Sequence, residues 1–165
     1  MKSEDTLLFE KLLMQSTVDK RLFGVKEVTI GWYGNKRVDF MIANQYGTIY
    51  CYEIKVTQND FHSKHGHNFV GHYNYYVMPE WLFEEVKSEI PKDVGVIVDR
   101  PIEKGLYTIK RSKRRYIGFA DKEKLLLYMM RSMSREAKKA FESEDVANLT
   151  YWKSKCAYYK KKAGL

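Results

Sequence analysis

Cysteine is scarce in this 165-residue chain, at two residues, and the pair has no zinc-type spacing. Cys51 falls inside an extended stretch and Cys156 in a helical tail, so a disulfide framework is not expected. No apolar run approaches the roughly 18 residues that a membrane span needs. The N-terminus carries Lys2, Glu4 and Asp5 in place of a clean apolar core, which argues against a signal peptide. Repeats, low-complexity tracts and a long flexible linker are likewise missing. The expectation is a soluble, cytoplasmic protein of one domain, long enough for a proper core plus an elaboration.

What is present is basic and aromatic. The formal charge is +8, and 15% of residues are Phe, Trp or Tyr. Much of the positive excess sits late, in Lys110-Arg111-Ser112-Lys113-Arg114-Arg115 and in Lys160-Lys161-Lys162, which makes a polyanionic partner plausible.

Pattern places the elements. Ser3 reads as the N-cap of a first helix reaching Gln15, with Glu10 on its inward side. Strands are expected at Val25 to Tyr33, Lys36 to Ala43 and Thr48 to Val56. Thr57-Gln58-Asn59-Asp60 resembles a capping box that opens a short helix fading near Gly66. A strand from Tyr73 to Met78, a helix begun at Pro79, a buried strand from Val94 to Asp99 and an edge strand from Leu106 to Arg111 follow. Beyond Ala120 two helical stripes, Leu125 to Phe141 and Val146 to Tyr159, flank Glu142-Ser143-Glu144-Asp145, and predict an αα-hairpin. Residues 1–120 thus read as the core and 121–165 as a helical extension of the same domain.

The most informative constellation lies across one short turn. If Gln45-Tyr46-Gly47 is a three-residue loop with Gly47 left-handed, Asn44 pairs with Thr48 and Asp39 lies opposite Glu53. Opposed residues share a face, as do residues two apart on a strand, so Asp39, Glu53 and Lys55 project together. Two adjacent carboxylates repel and are costly to bury without a compensating cation. A divalent metal, with Lys55 as a second positive group, meets that need. The plainer alternative is a cross-strand salt-bridge cluster on a solvated face.

The order helix, three antiparallel strands, helix, strand, with Asp39 on the second strand and Glu53-Ile54-Lys55 on the third, resembles the PD-(D/E)XK nuclease superfamily. The run Tyr52-Glu53-Ile54-Lys55-Val56-Thr57-Gln58-Asn59-Asp60-Phe61, with Lys64, the Tyr-rich Tyr73 to Pro79 and Gly95-Val96-Ile97-Val98, is similar to the MmcB-like DNA-repair proteins. The resemblance spans roughly Leu7 to Arg100, and Val38 stands where Pro often precedes the motif Asp. It implies a restriction-endonuclease-like α/β core, α-β-β-β-α-β, with a mixed sheet flanked by helices, to which the C-terminal αα-hairpin would be added. It further implies that Asp39, Glu53 and the Ile54 carbonyl hold Mg²⁺ or Mn²⁺, with Glu10 the helix-borne acid. Lys55 would orient the attacking water and offset charge on the transition state. Gln58 and Lys64 would face the site or the scissile phosphate.

The expected activity is metal-dependent hydrolysis of phosphodiester bonds in DNA, in repair, recombination or mobile-element processing, with RNA a further candidate substrate. His62, with His65, His67 and His72, is expected to rim the cleft and touch phosphate. Lys113, Arg114, Arg115, Lys160 and Lys161 are the other candidate nucleic-acid contacts. Trp152 and Tyr159 fit a core or homodimer contact better than base stacking. Two rival readings stand beside this one: a catalytically silent nucleic-acid-binding protein of the same fold, and a small regulatory protein acting through its helical tail.

Overall fold

The computed structural model describes residues 2–18, 20–31, 34, 36–100 and 105–162. It is an α/β structure whose six-stranded mixed sheet has the order β1-β2-β3-β4-β5-β6. The elements are α1 (Glu4–Gln15), β1 (Leu22–Ile30), β2 (Lys36–Asn44), β3 (Ile49–Ile54), α2 (Gln58–Phe61), β4 (Tyr73–Pro79), α3 (Glu80–Val86), β5 (Gly95–Arg100), β6 (Gly105–Lys110) and α4 (Phe119–Lys162). Strands β1 to β3 are antiparallel, β3 to β5 run parallel, and β6 closes the edge antiparallel to β5. Strand β1 begins and ends earlier than the pattern suggested, and its expected end at Tyr33 lies outside the described residues.

Local chemistry sets the helix starts. Ser3 Oγ accepts the Thr6 N–H at 3.2 Å, and Glu4 and Asp5 lie at the positive end of the helix dipole. Thr57 Oγ1 accepts the Asp60 N–H at 3.1 Å and opens α2. Asp60 returns its carboxylate to the Val56 N–H at 3.3 Å, one residue short of the reciprocal bond of a capping box.

Alternation along the strands divides the core. On one face Phe9 and Leu13 of α1 pack against Phe40, Ile42, Tyr52, Ile54 and Val77. Much of the tyrosine content stacks on this side, Tyr50 on Tyr73 and Tyr52 on Tyr75, with ring centroids 5.1 and 5.7 Å apart. On the other face Phe61 of α2 and Leu82 and Val86 of α3 cover Tyr76, Met78, Val96 and Val98. Leu82 has no exposed surface, so its truncation to Ala costs about 2–5 kcal/mol.

The β2–β3 hairpin follows the expected register. Ala43 pairs with Ile49, Phe40 with Tyr52, and Asn44 exchanges backbone hydrogen bonds with Thr48 and Gly47. Gly47 has φ +72°, a conformation that favours glycine, while the Lys122 side-chain end beside it can move aside.

The C-terminal αα-hairpin is corrected. Residues 119–162 form one helix, α4, with no break at Glu142-Ser143-Glu144-Asp145. That stretch has neither Gly nor Pro, and Ser143 Oγ donates to the Ala140 carbonyl at 2.7 Å, which satisfies the hydroxyl within the helix. The chain divides into two compact units, residues 1–132 and 133–165. Within the first, Leu125, Met129 and Ser132 are buried, Lys122 reaches the Tyr46 carbonyl, and Arg131 donates to the carbonyls of Thr29 (2.7 Å) and Gly31 (2.8 Å). Within the second, Val146, Leu149, Tyr151 and Trp152 are exposed.

Candidate active site

Extending the β2–β3 register by one step sets Asp39 opposite Glu53. The parallel ladder sets Glu53 beside Tyr76, on the face away from α1. Asp39 Oδ2 accepts the Ile54 N–H at 2.9 Å, so the carboxylate takes a ladder donor and ties β2 to the end of β3. Glu53 is fully buried. Its Oε1 accepts the Asn68 N–H at 2.9 Å, while its Oε2 has no hydrogen-bond partner. Burial, and next the charge of Asp39, push the Glu53 carboxyl up to about 8, against the smaller opposing effects of the Asn68 N–H and Lys55.

Lys55 is the third member. It is only 2% exposed, and Nζ donates to the carbonyl oxygens of Asp60 (3.0 Å) and His65 (2.8 Å), with Asp60 Oδ1 3.6 Å away. The 60–68 loop that grips it is itself braced. Ser63 Oγ bonds the carbonyls of Asp60 and His65. His67 spans the Ser63 carbonyl (2.9 Å) and the Tyr76 hydroxyl (2.6 Å). A carbonyl only accepts, so Nε2 of His67 donates to the Ser63 carbonyl, while Nδ1 is bonded to the Tyr76 hydroxyl. Gly66, at φ +73°, lies against the pair: a Cβ there would stand 2.7 Å from Lys55 Nζ and 3.3 Å from Glu53 Oε2.

Asp39, Ile54, Lys55, Asp60, Gly66 and Asn68 open on a cleft of about 730 Å³, with Glu53 buried behind its lining. Its acids are Asp39 and Asp60, and Lys36, Arg37, Lys55 and Lys64 supply positive charge around them. Among the described residues no three His, Cys, Asp or Glu side chains converge to hold a metal. Two carboxylates nonetheless suit Mg²⁺, which binds through one or two of them and completes its shell with water and substrate phosphate. The orphaned Glu53 Oε2, beside a second carboxylate in a buried setting, fits a hard divalent cation, and the Ile54 carbonyl is the nearest backbone donor in sequence.

The other sequence candidates separate. Lys64 lines the cleft, as does His65. Gln58 instead bonds Glu85 (2.7 Å) and His62 bonds Glu89 (2.9 Å), both toward α3. His72 is buried and accepts the Ile49 N–H at 3.0 Å. Glu10 is buried on α1, does not line the cleft, and pairs with Lys2, which also holds Glu27. Glu27 would fall opposite Asp39 in the β1–β2 register, at a backbone φ of +53°. Arg115 reaches across to the Phe69 carbonyl, and Lys113 and Arg114 are exposed beside it. Lys161 is exposed in the second unit, and the side chains of Tyr159 and Lys160 lie outside the described residues. Burial pushes the Cys51 thiol up to about 12, so it is no nucleophile.

Sequence reading gave no site role to Asn68, Gly66 or Asp60, and placed His67 at the cleft rim without its bond to Tyr76. Only Gly66, a glycine soon after a Glu-x-Lys strand, carried a signal. Lys36 and Arg37 were visible only as strand residues.

No protein-family model matches the chain, and no curated protein matches its sequence. A solved structure does: a protein of unknown function from Silicibacter pomeroyi superposes with a TM-score of 0.64 at 15% identity, over 82% of this chain and 88% of that one. The likeness establishes a shared fold.

Proposed function

We propose that this chain is a metal-dependent nuclease of restriction-endonuclease-like fold that hydrolyses phosphodiester bonds in DNA. The observation that carries the reading is the buried Glu53 carboxyl, whose Oε2 has no hydrogen-bond partner, next to Asp39, which lines a cleft together with Asp60, Lys36, Arg37, Lys55 and Lys64. Leaving such an oxygen unpaired costs about 1–3 kcal/mol, which a cation would recover. A solvated salt-bridge cluster would leave these carboxylates in water, whereas Glu53 is fully buried.

Asp39, Glu53 and the Ile54 carbonyl are the residues that would hold Mg²⁺ or Mn²⁺. When bound, the ion polarises the scissile phosphate and acidifies water in its shell. The chain's own residues do the rest. Lys36, Arg37 and Lys64 draw in and orient the phosphate backbone. Lys55, fixed by two carbonyls, presents a positive charge of set position to the attacking water and to the anionic charge that grows on the phosphate. The Asn68 N–H and the Asp39–Ile54 bond fix the two carboxylates before substrate arrives, so little reorganisation is needed.

The test is cleavage of single-stranded, duplex and branched DNA with Mg²⁺ or Mn²⁺, with EDTA and with the Asp39→Asn variant. Cleavage by the wild type that is lost under both controls is the expected result. Equal activity in wild type and Asp39→Asn on every substrate would overturn the reading.

A further inference from the structure

A second cavity, of about 670 Å³, lies within the first unit between the 68–70 loop and the start of α4. Residues next to one another in sequence line the two cavities: Thr29 and Asn68 the candidate active cleft, Ile30 and Phe69 this one. Its volume falls within the ~300–1,000 Å³ range of sites for small organic groups.

The segment 111–118 that walls it is irregular but tied down. Asn74 N–H donates to Ser112 Oγ at 2.9 Å, the Lys113 N–H to the Asp93 carbonyl at 2.9 Å, and the Arg115 N–H to the His72 carbonyl at 2.8 Å. The Arg115 guanidinium is bonded to the Phe69 carbonyl, and both residues line the cavity. From this fixed backbone Tyr116 projects with 93% of its surface exposed. Tyr128 lines the same cavity but lies under the Arg131 guanidinium, 5.3 Å from its ring centre, so Tyr116 is the ring with open faces. The acid there, Asp121, faces Lys124 at 3.5 Å, and Lys113, Arg114 and Arg115 leave the surroundings positive.

An aromatic ring standing in water on a segment tied by backbone hydrogen bonds, beside cations, has the chemistry of a base-stacking platform. We infer that this cavity is a subsite for an unpaired nucleotide: the base stacks on Tyr116, and Arg115 and Lys124 meet its phosphates. The inference rests on the nuclease reading of the neighbouring cleft and deepens it, because a base free to stack belongs to a single strand or to a frayed or flapped end. Duplex DNA keeps its bases stacked on each other and cannot use the platform without unstacking energy.

Equilibrium binding tests this without any cleavage. Labelled oligothymidylate and a blunt duplex of equal length are titrated in EDTA with wild type, Tyr116→Ala and Tyr116→Phe. Tyr116→Ala should weaken oligothymidylate binding about tenfold or more, within the range for losing one base–aromatic stack. Tyr116→Phe should restore it, and duplex binding should be the same for all three. An unchanged affinity for oligothymidylate in Tyr116→Ala, or equal losses for both DNAs, overturns the subsite while leaving the nuclease reading intact. Wild type that binds neither DNA overturns both.

Discussion

Asp39 Oδ2 accepts the backbone N–H of Ile54 at 2.9 Å, so the carboxylate of one strand is bolted to the peptide that follows Glu53 on the next. The bond fixes the spacing of the two acids whether or not a cation is present. It also orients the Glu53–Ile54 peptide at the edge of the cleft. Preorganisation of this kind matters because a misplacement of about 1 Å in a catalytic group costs on the order of 100-fold in rate.

Cation binding should depend on both carboxylates. Mn²⁺ titration followed by electron paramagnetic resonance should show a site in wild type that Asp39→Asn or Glu53→Gln weakens at least about tenfold, since either change removes one of two charged ligands. Glu10→Gln should leave the site nearly unchanged, because Glu10 is engaged with Lys2. Equal affinities in all four proteins would place the cation elsewhere.

Lys55 carries two roles that one substitution separates. Lys55→Met keeps the bulk of the stem but leaves the carbonyls of Asp60 and His65 without their donor. The expected loss in cleavage rate is at least ~10²-fold. The stability loss is about 1–3 kcal/mol by urea denaturation. DNA affinity in EDTA should hardly move. A variant that cuts as fast as wild type would remove Lys55 from catalysis.

The raised carboxyl of Glu53 gives stability a definite slope. In the unfolded chain it ionises near 4.5, in the folded protein near 8, so between those values the folded state holds a proton that the unfolded state has released. The unfolded state then binds fewer protons, and stability falls as pH rises through this window and levels off above it. Urea midpoints measured with EDTA should show the decline, and Glu53→Gln should flatten it. Saturating Mg²⁺ should also lift the high-pH end, because the cation stabilises the ionised form.

Gly66 should resist substitution. An alanine Cβ there meets Lys55 Nζ at 2.7 Å and must adopt φ +73°, whereas a Cβ at Gly118 meets nothing within 4 Å. Gly66→Ala should therefore lower stability by more than about 1 kcal/mol and slow cleavage, with Gly118→Ala close to wild type in both. Matching melting curves for the two would show that the 60–68 loop moves aside at no cost.

Phosphate contacts in the cleft are countable. Replacing Lys36, Arg37 and Lys64 by Gln should lower the slope of log affinity against log salt by about 0.9 per contact on duplex DNA and about 0.7 on a single strand. An unaltered slope on both would mean that these cations do not meet the backbone.

What the sequence determined by itself was local and set by parity. Ser3 and Thr57 marked helix starts because their side chains cap the next turn, and Pro79 marked one because its fixed φ suits a helix entrance. Gly47 set the β2–β3 turn, and counting back by twos from that turn placed Asp39, Glu53 and Lys55 on one face. Composition and motif could not place the groups that complete the cleft. Asn68 N–H, the His65 carbonyl and the His67–Tyr76 brace arrive through a loop closed by the parallel β3–β4 pairing, a contact distant in sequence that no local periodicity encodes. Glu10 was legible as a carboxylate on an inward helix side, but its partner Lys2 and the outlying φ of Glu27 are properties of the packed chain. The acidic stretch at residues 142–145 reads as a break only if polarity is taken for breaking power. Without Gly or Pro the backbone hydrogen bonds continue through it, and α4 runs on. Tertiary structure alone decided that Glu53 is buried with one oxygen unpaired, since burial depends on what α2, β4 and the 60–68 loop bring over it.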